Sequence, residues 1–138
     1  MTKPIARSYQ EKLSLLNELI HLGDVDGRMA MEEFELIRAI AERLGISDED
    51  LEKVVRTEVP FTPPKSEMER ILWLQAFSLV TIADERVDER EVKFIQRIGL
   101  RLGFNPQPIN ELLRRLMAHP GKPLSPGDLI RLFQVSHN

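Results

Sequence analysis

One block of this sequence occurs twice. Asp26 to Glu33 leads into a predicted helix closing at Arg43-Leu44-Gly45, and Asp84 to Glu91 leads into one closing at Arg101-Leu102-Gly103. The offset is constant (84 − 26 = 58), and the copies align without a gap from Asp26/Asp84 to Leu51/Ile109. Asp26/Asp84, Arg28/Arg86, Glu33/Glu91, Ile37/Ile95, Ile40/Ile98, Arg43/Arg101, Leu44/Leu102 and Gly45/Gly103 are identical pairs. An amphipathic helical unit must cover its apolar face, so two copies in one chain are expected to pack together about an approximate two-fold axis. Packing accounts for the recurring isoleucines and leucines. It does not account for an Asp and a Glu that recur seven residues apart (33 − 26 = 91 − 84 = 7).

The 138 residues suffice for one compact domain with a real core and are too few for two ordinary ones. Apolar residues at 42% and charged residues at 30% place the chain among globular proteins. A net charge of −3 and a pI near 5.7 argue against a general nucleic-acid binder. The absence of cysteine removes disulfides, thiolate metal sites and cysteine nucleophiles together, and fits a reducing cytoplasm. Met1-Thr2-Lys3-Pro4 opens no secretory signal, and no run approaches the roughly 18 to 20 apolar residues of a membrane span. The stretch from Ile71 to Ala83 is interrupted by Gln75, Ser78 and Thr81, and reads as a buried helix.

The expected fold is all-α, with six or seven helices in two helix-loop-helix-helix halves. The first helix runs from about Ser8 to Leu22, with Leu13, Leu16 and Ile20 on one stripe. The second starts near Met31 and presents Phe34, Ile37, Ala41 and Leu44, with Gly45 as a left-handed cap. Ser47 caps a short third helix that opens with three acids. A linker over 57–65, stiffened by Pro60, Pro63 and Pro64, divides the halves at about 8–56 and 66–118. Ser66 and Glu69 have capping-box spacing for a fourth helix through Ile82. A fifth spans about Glu89 to Leu102, and Asn105-Pro106 opens a sixth through Met117. Ser125-Pro126 opens a short last helix over about 126–134. Ala41 and Gly99 are equivalent small residues, and predict close packing of the second helix on the fifth.

Asp26 and Asp84 each precede a helix, with Glu33 and Glu91 about one turn inside. If the halves close on an axis, these four carboxylates face one another, with Asp24 and Asp88 nearby. Clustered carboxylates repel, and a hard cation relieves the repulsion. Calcium accepts six to eight oxygens in loose geometry and suits irregular loops; magnesium is next. Zinc is disfavoured because neither loop holds a histidine. The EF-hand pattern fails. Asp24, Asp26 and Glu35 fall on its first, third and twelfth positions, but its sixth position is not glycine and its fifth is Arg28. A second such loop would begin with Ile82 and end with Lys93.

A metal-free explanation stands beside this one. Asp88 and Glu91 form a capping box, and Glu33 can act similarly although Ala30 is a poor cap. Arg28 and Arg86 could neutralise the acids. Asp26 and Asp84 are the residues capping does not require.

The repeated loops, each entering a helix that ends in Leu-Gly, resemble the TerB-like family named for tellurite resistance. The resemblance covers roughly Lys12 to Met117. It implies an all-helical fold with internal two-fold symmetry and an acidic surface that binds divalent cations, calcium among them. It also implies a non-enzymatic role in cytoplasmic stress-response complexes, with protein partners near the inner membrane face but no membrane insertion and no nucleic acid. The implied ligands are Asp26 and Glu33 in the first motif, and Asp84 and Glu91 in the second. The chain departs from the family pattern at Glu85, where Asp-Gly is common.

Other chemistry finds little support. No phosphate loop or nucleophile elbow is present, and Glu-x-x-His occurs once, at Glu18 and His21, rather than as the two facing motifs that a di-metal carboxylate site needs. His21 reads as facing helix-end carbonyls or solvent. Trp73, Phe77, Phe34 and Phe94 read as core. Phe61 either clamps the halves or meets a partner. Arg97, Arg101, Arg114 and Arg115 are either a basic patch or solvated helix faces.

Overall fold

The computed structural model describes residues 7–25, 27, 29–83 and 87–135. Among them the chain forms seven helices and no strand: α1 (Arg7–Gly23), α2 (Met31–Arg43), α3 (Asp48–Arg56), α4 (Glu67–Ile82), α5 (Glu89–Arg101), α6 (Pro106–Ala118) and α7 (Pro126–Val135). Among the described residues no helix is long and apolar enough to cross a membrane.

The sequence repeat is a structural repeat. α2 and α5 start and stop at the same offset (89 − 31 = 101 − 43 = 58). Both end in the same Schellman turn. Gly45 (φ +77°) donates to Glu42 and Ile46 donates to Ala41, while Gly103 (φ +90°) donates to Leu100 and Phe104 donates to Gly99. A positive φ of this kind is open to glycine without steric cost, which is why each helix stops where it does.

α1 and α4 form the central pair, with α2 and α3 against α1 and α5 and α7 against α4. The core that they share includes Leu16, Leu19, Leu22, Ile37, Leu74, Phe77, Ile95 and Leu112, each fully buried. The halves differ at one point. α3 packs on α1, whereas α6 lies on α5 and the extra helix α7 takes up the face of α4. Leu129 and Phe133 of α7 are completely buried, and the Phe133 ring lies 4.8 Å from that of Phe104.

The linker is fastened along α1. Thr62 N–H donates to the buried Ser14 hydroxyl (2.9 Å), and Arg7 reaches the Pro63 carbonyl (3.2 Å). Phe61 turns inward onto Trp73 (6.3 Å, edge to face), which begins an aromatic series through Phe77 to Phe94. The Arg101 guanidinium stacks 3.9 Å over the Phe61 ring. Both of these contacts are to helices of the second half.

Four expectations are corrected. α2 and α5 are not one of the extensively packed pairs, and a Cβ on Gly99 would come within 2.6 Å of Ile109 on α6 instead. The missing side chain therefore serves packing inside the second half. Phe34 is 41% exposed, because the buried stripe of α2 is Glu33, Ile37 and Ala41, and Phe34 lies about 100° round the helix from Glu33. Asn105 occupies the N-cap of α6 without a side-chain bond, so Pro106 alone marks that start. Arg114 and Arg115 both bind Glu111 (2.6 and 3.0 Å), which leaves no patch joining them to Arg97 and Arg101. The Arg114 and Arg115 hydrogen bonds hold the Glu111 carboxyl down at about 2.

Tyr9 on α1 donates its hydroxyl to Asp50 on α3. This bond, with burial and the Asp50 charge adding to it, pushes the phenol from 10.0 up to about 12. Tyr9 is the only tyrosine, so its ultraviolet titration reads this contact alone. The folded form holds its proton longer than the unfolded one. Its contribution is therefore complete below about pH 10 and lost as pH rises through about 12. The tyrosinate band should develop near pH 12 in the native protein, and near 10 in the Asp50→Ala variant. An unshifted native midpoint would mean that α1 and α3 are not joined here.

Candidate functional site

The first turn of α2 places Glu33 and the first turn of α5 places Glu91. Both carboxylates are taken almost wholly out of water, at 4% and 5% exposure. Glu33 Oε1 accepts from Ala30 N–H (3.0 Å), and Glu91 Oε1 accepts from Asp88 N–H (3.1 Å). In the second copy the reciprocal half of the cap exists, because Asp88 Oδ1 accepts from Arg90 N–H (2.6 Å). In the first copy it cannot, since Ala30 has no side-chain acceptor. Glu33 keeps its buried position all the same.

Glu33 also approaches the end of the preceding helix. Its Oε2 would lie 3.7 Å from a Cβ placed on Gly23, the last residue of α1. The equivalent residue in the second copy is Thr81 (81 − 23 = 58), whose hydroxyl is fully buried and has no hydrogen-bond partner among the described residues. The intervening turn is closed by Gly27 N–H donating to the Asp24 carbonyl (3.0 Å), with Gly27 at φ +83°. Asp24 is exposed. Asp26, Arg28, Asp84, Glu85 and Arg86 lie outside the described residues. Among those described, no three acids or histidines come together to hold an ion. Glu33 and Glu91 sit on helices that do not pack extensively, each held by its own helix entry.

A second constellation was not anticipated. α1, the linker and α5 enclose a cleft of about 390 Å³ lined by Glu18, His21, Glu58, Phe61, Arg97 and Arg101, among others. Glu18 is 6% exposed, with Arg101 at 4.0 Å and His21 at 3.9 Å. Burial pushes its carboxyl above the usual range, against the pull of His21 and Arg101. His21 Nε2 lies 3.2 Å from Glu58 at the rim, so its neighbours are carboxylates rather than helix-end carbonyls. Among the described residues, no hydroxyl or thiol lines this cleft. Its signal in the sequence was Glu18 itself, a charge between Leu15, Leu16, Leu19 and Leu22 on a buried helix.

Residues 1–56 match the family model described as Tellurite resistance protein TerB. Over these residues the chain is similar to TerB. The matched segment holds α1, α2 and α3, which recur at about the same offset in the later half as α4, α5 and the start of α6. The match covers 56 of the 138 residues. No curated protein and no solved structure matches the chain.

Proposed function

We propose that this TerB-like chain is a non-enzymatic interaction module whose duplicated helix entries take up a divalent cation, calcium first and magnesium second. Asp26, Glu33, Asp84 and Glu91 would supply the oxygens. The observation that carries this reading is the burial of the same glutamate in both copies, at 4% and 5% exposure. Removing a carboxylate from water is costly unless its charge is met. A cation at these helix entries would lower that cost further, beside the cap hydrogen bonds that Glu33 and Glu91 accept. The donor chemistry fits a hard ion, since every proposed ligand is a carboxylate. A cation linking two loops would also make the surface around them responsive to ion concentration. That suits a module that recruits a protein partner in cytoplasmic, membrane-associated stress complexes.

The alternative is an adaptor in which the acids only cap helices, and the cap bonds of Glu33 and Glu91 favour it. The two readings separate by calorimetric titration of calcium and magnesium into chelator-treated protein. The cation reading predicts saturable heat, and stabilisation of about 2.7 kcal/mol at a hundredfold excess over Kd. Asp26→Ala with Asp84→Ala should abolish both. No heat at millimolar ion in the folded wild type would leave the adaptor reading.

A further inference from the structure

The cleft between α1 and α5 has a counterpart within the molecule. At the repeat offset, Asn17, Glu18, His21, Ile98 and Arg101 correspond to Gln75, Ala76, Leu79, Ile40 and Arg43. All five of those counterparts line a second groove, between α4, α2 and α1, of about 560 Å³. The two grooves are therefore the same place in the two copies. The second is largely apolar, with Leu72, Trp73 and Leu79 along it, whereas the first holds Glu18, His21 and Arg97 where the second copy has Ala76, Leu79 and Ala39. Helices meet in this way without those charges, so packing does not explain them.

The cations of the first cleft are presented rather than neutralised. Arg97 and Arg101 stand one turn apart on α5, and both line the cleft. Arg97 is exposed and has no ion-pair partner among the described residues. The Arg101 guanidinium carbon lies over the Phe61 ring at 3.9 Å from its centroid, and Glu18 stands at 4.0 Å, beyond hydrogen-bond distance. Stacking fixes the guanidinium plane and leaves N–H groups directed to other acceptors. Glu58 is 84% exposed at the rim and turned to His21. The volume, about 390 Å³, falls in the range of small-molecule sites.

We propose that this cleft binds a small ligand through a phosphate or carboxylate group seated between Arg97 and Arg101, with Glu18 a competing charge beside Arg101. This site is separate from the acidic loops and does not depend on the cation reading.

The test is an NMR titration of the full chain with inorganic phosphate and, separately, with succinate, each at ionic strength held constant with sodium chloride. Saturable shifts are expected in the side-chain N–H signals of Arg97 and Arg101 and in the Phe61 ring. The stronger of the two ligands identifies the headgroup chemistry. Arg97→Gln, an exposed change that leaves the fold intact, should weaken binding about tenfold, as loss of a charge-assisted hydrogen bond does. Arg114→Gln, whose arginine is occupied by Glu111, should leave it unchanged. Glu18→Gln removes the competing charge and should tighten binding about threefold or more; a purely structural Glu18 would lower stability without tightening anything. Shifts that never saturate for either anion, or that survive Arg97→Gln undiminished, would overturn the proposal.

Discussion

Replacing Phe133 with alanine is expected to destabilise the protein by about 3 to 5 kcal/mol, the range for truncating a fully buried aromatic ring. Phe133 has no exposed surface, and its ring lies 4.8 Å from that of Phe104 at the end of the second repeat. α7 has no equivalent in the first half. It covers the face of α4 in a position resembling that of α3 on α1, so the alanine would open a cavity between two helices rather than loosen a tail. A loss of this size is a large share of the roughly 5 to 15 kcal/mol that holds a domain together. Urea unfolding measures it directly. A loss below about 1 kcal/mol would mean that α7 is an appendage and that the core closes without it.

Gly99→Val should be nearly as damaging, at about 2 to 3 kcal/mol, within the range for overpacking a core. A Cβ at this position would stand 2.6 Å from Ile109 Cδ1 and 2.9 Å from Cγ1, closer than real contacts allow. Gly99→Ala gains roughly 1 kcal/mol in helix propensity, which offsets part of the same clash. It should therefore cost less than valine. The partner identifies itself in a double-mutant cycle. Ile109→Ala alone opens a cavity, yet in the Gly99→Val background it makes room, so the combined loss should fall short of the sum of the two single losses. Strict additivity would show that α5 and α6 do not meet at this pair.

Much of this architecture was legible in the sequence because its signals are local. The ends of α2 and α5 follow from Gly45 and Gly103, each needed for a positive φ, and from acids in the first turns. Ser47, Ser66, Asp88 and Ser125 cap where their spacing predicts. The misreadings concern which surfaces meet. Ala41 and Gly99 fall on equivalent faces, but the sequence does not reveal that the face of Gly99 belongs to α6. Phe34 falls at helical spacing with Ile37, Ala41 and Leu44, but the buried stripe of α2 is centred on Glu33, Ile37 and Ala41. The cleft was missed for a related reason. Its charges come from three segments distant in the chain, and only the folded repeat brings Glu18, Phe61 and Arg101 together. For the acidic motif, Glu33 and Glu91 are buried in matching positions, whereas Asp26 and Asp84 lie outside the described residues.

Counting the calcium ions bound per chain, by equilibrium dialysis, addresses the central proposal most directly when it is done with Glu33→Gln and Glu91→Gln beside the wild type. Glutamine keeps an oxygen for the cap, so Ala30 and Asp88 retain their acceptor while the negative charge is removed. If oxygens of both copies serve a common ion, the wild type binds a single calcium and either substitution abolishes it without unfolding the chain. Wild-type protein that takes up no ion at millimolar calcium, or one whose uptake ignores both substitutions, would contradict this account.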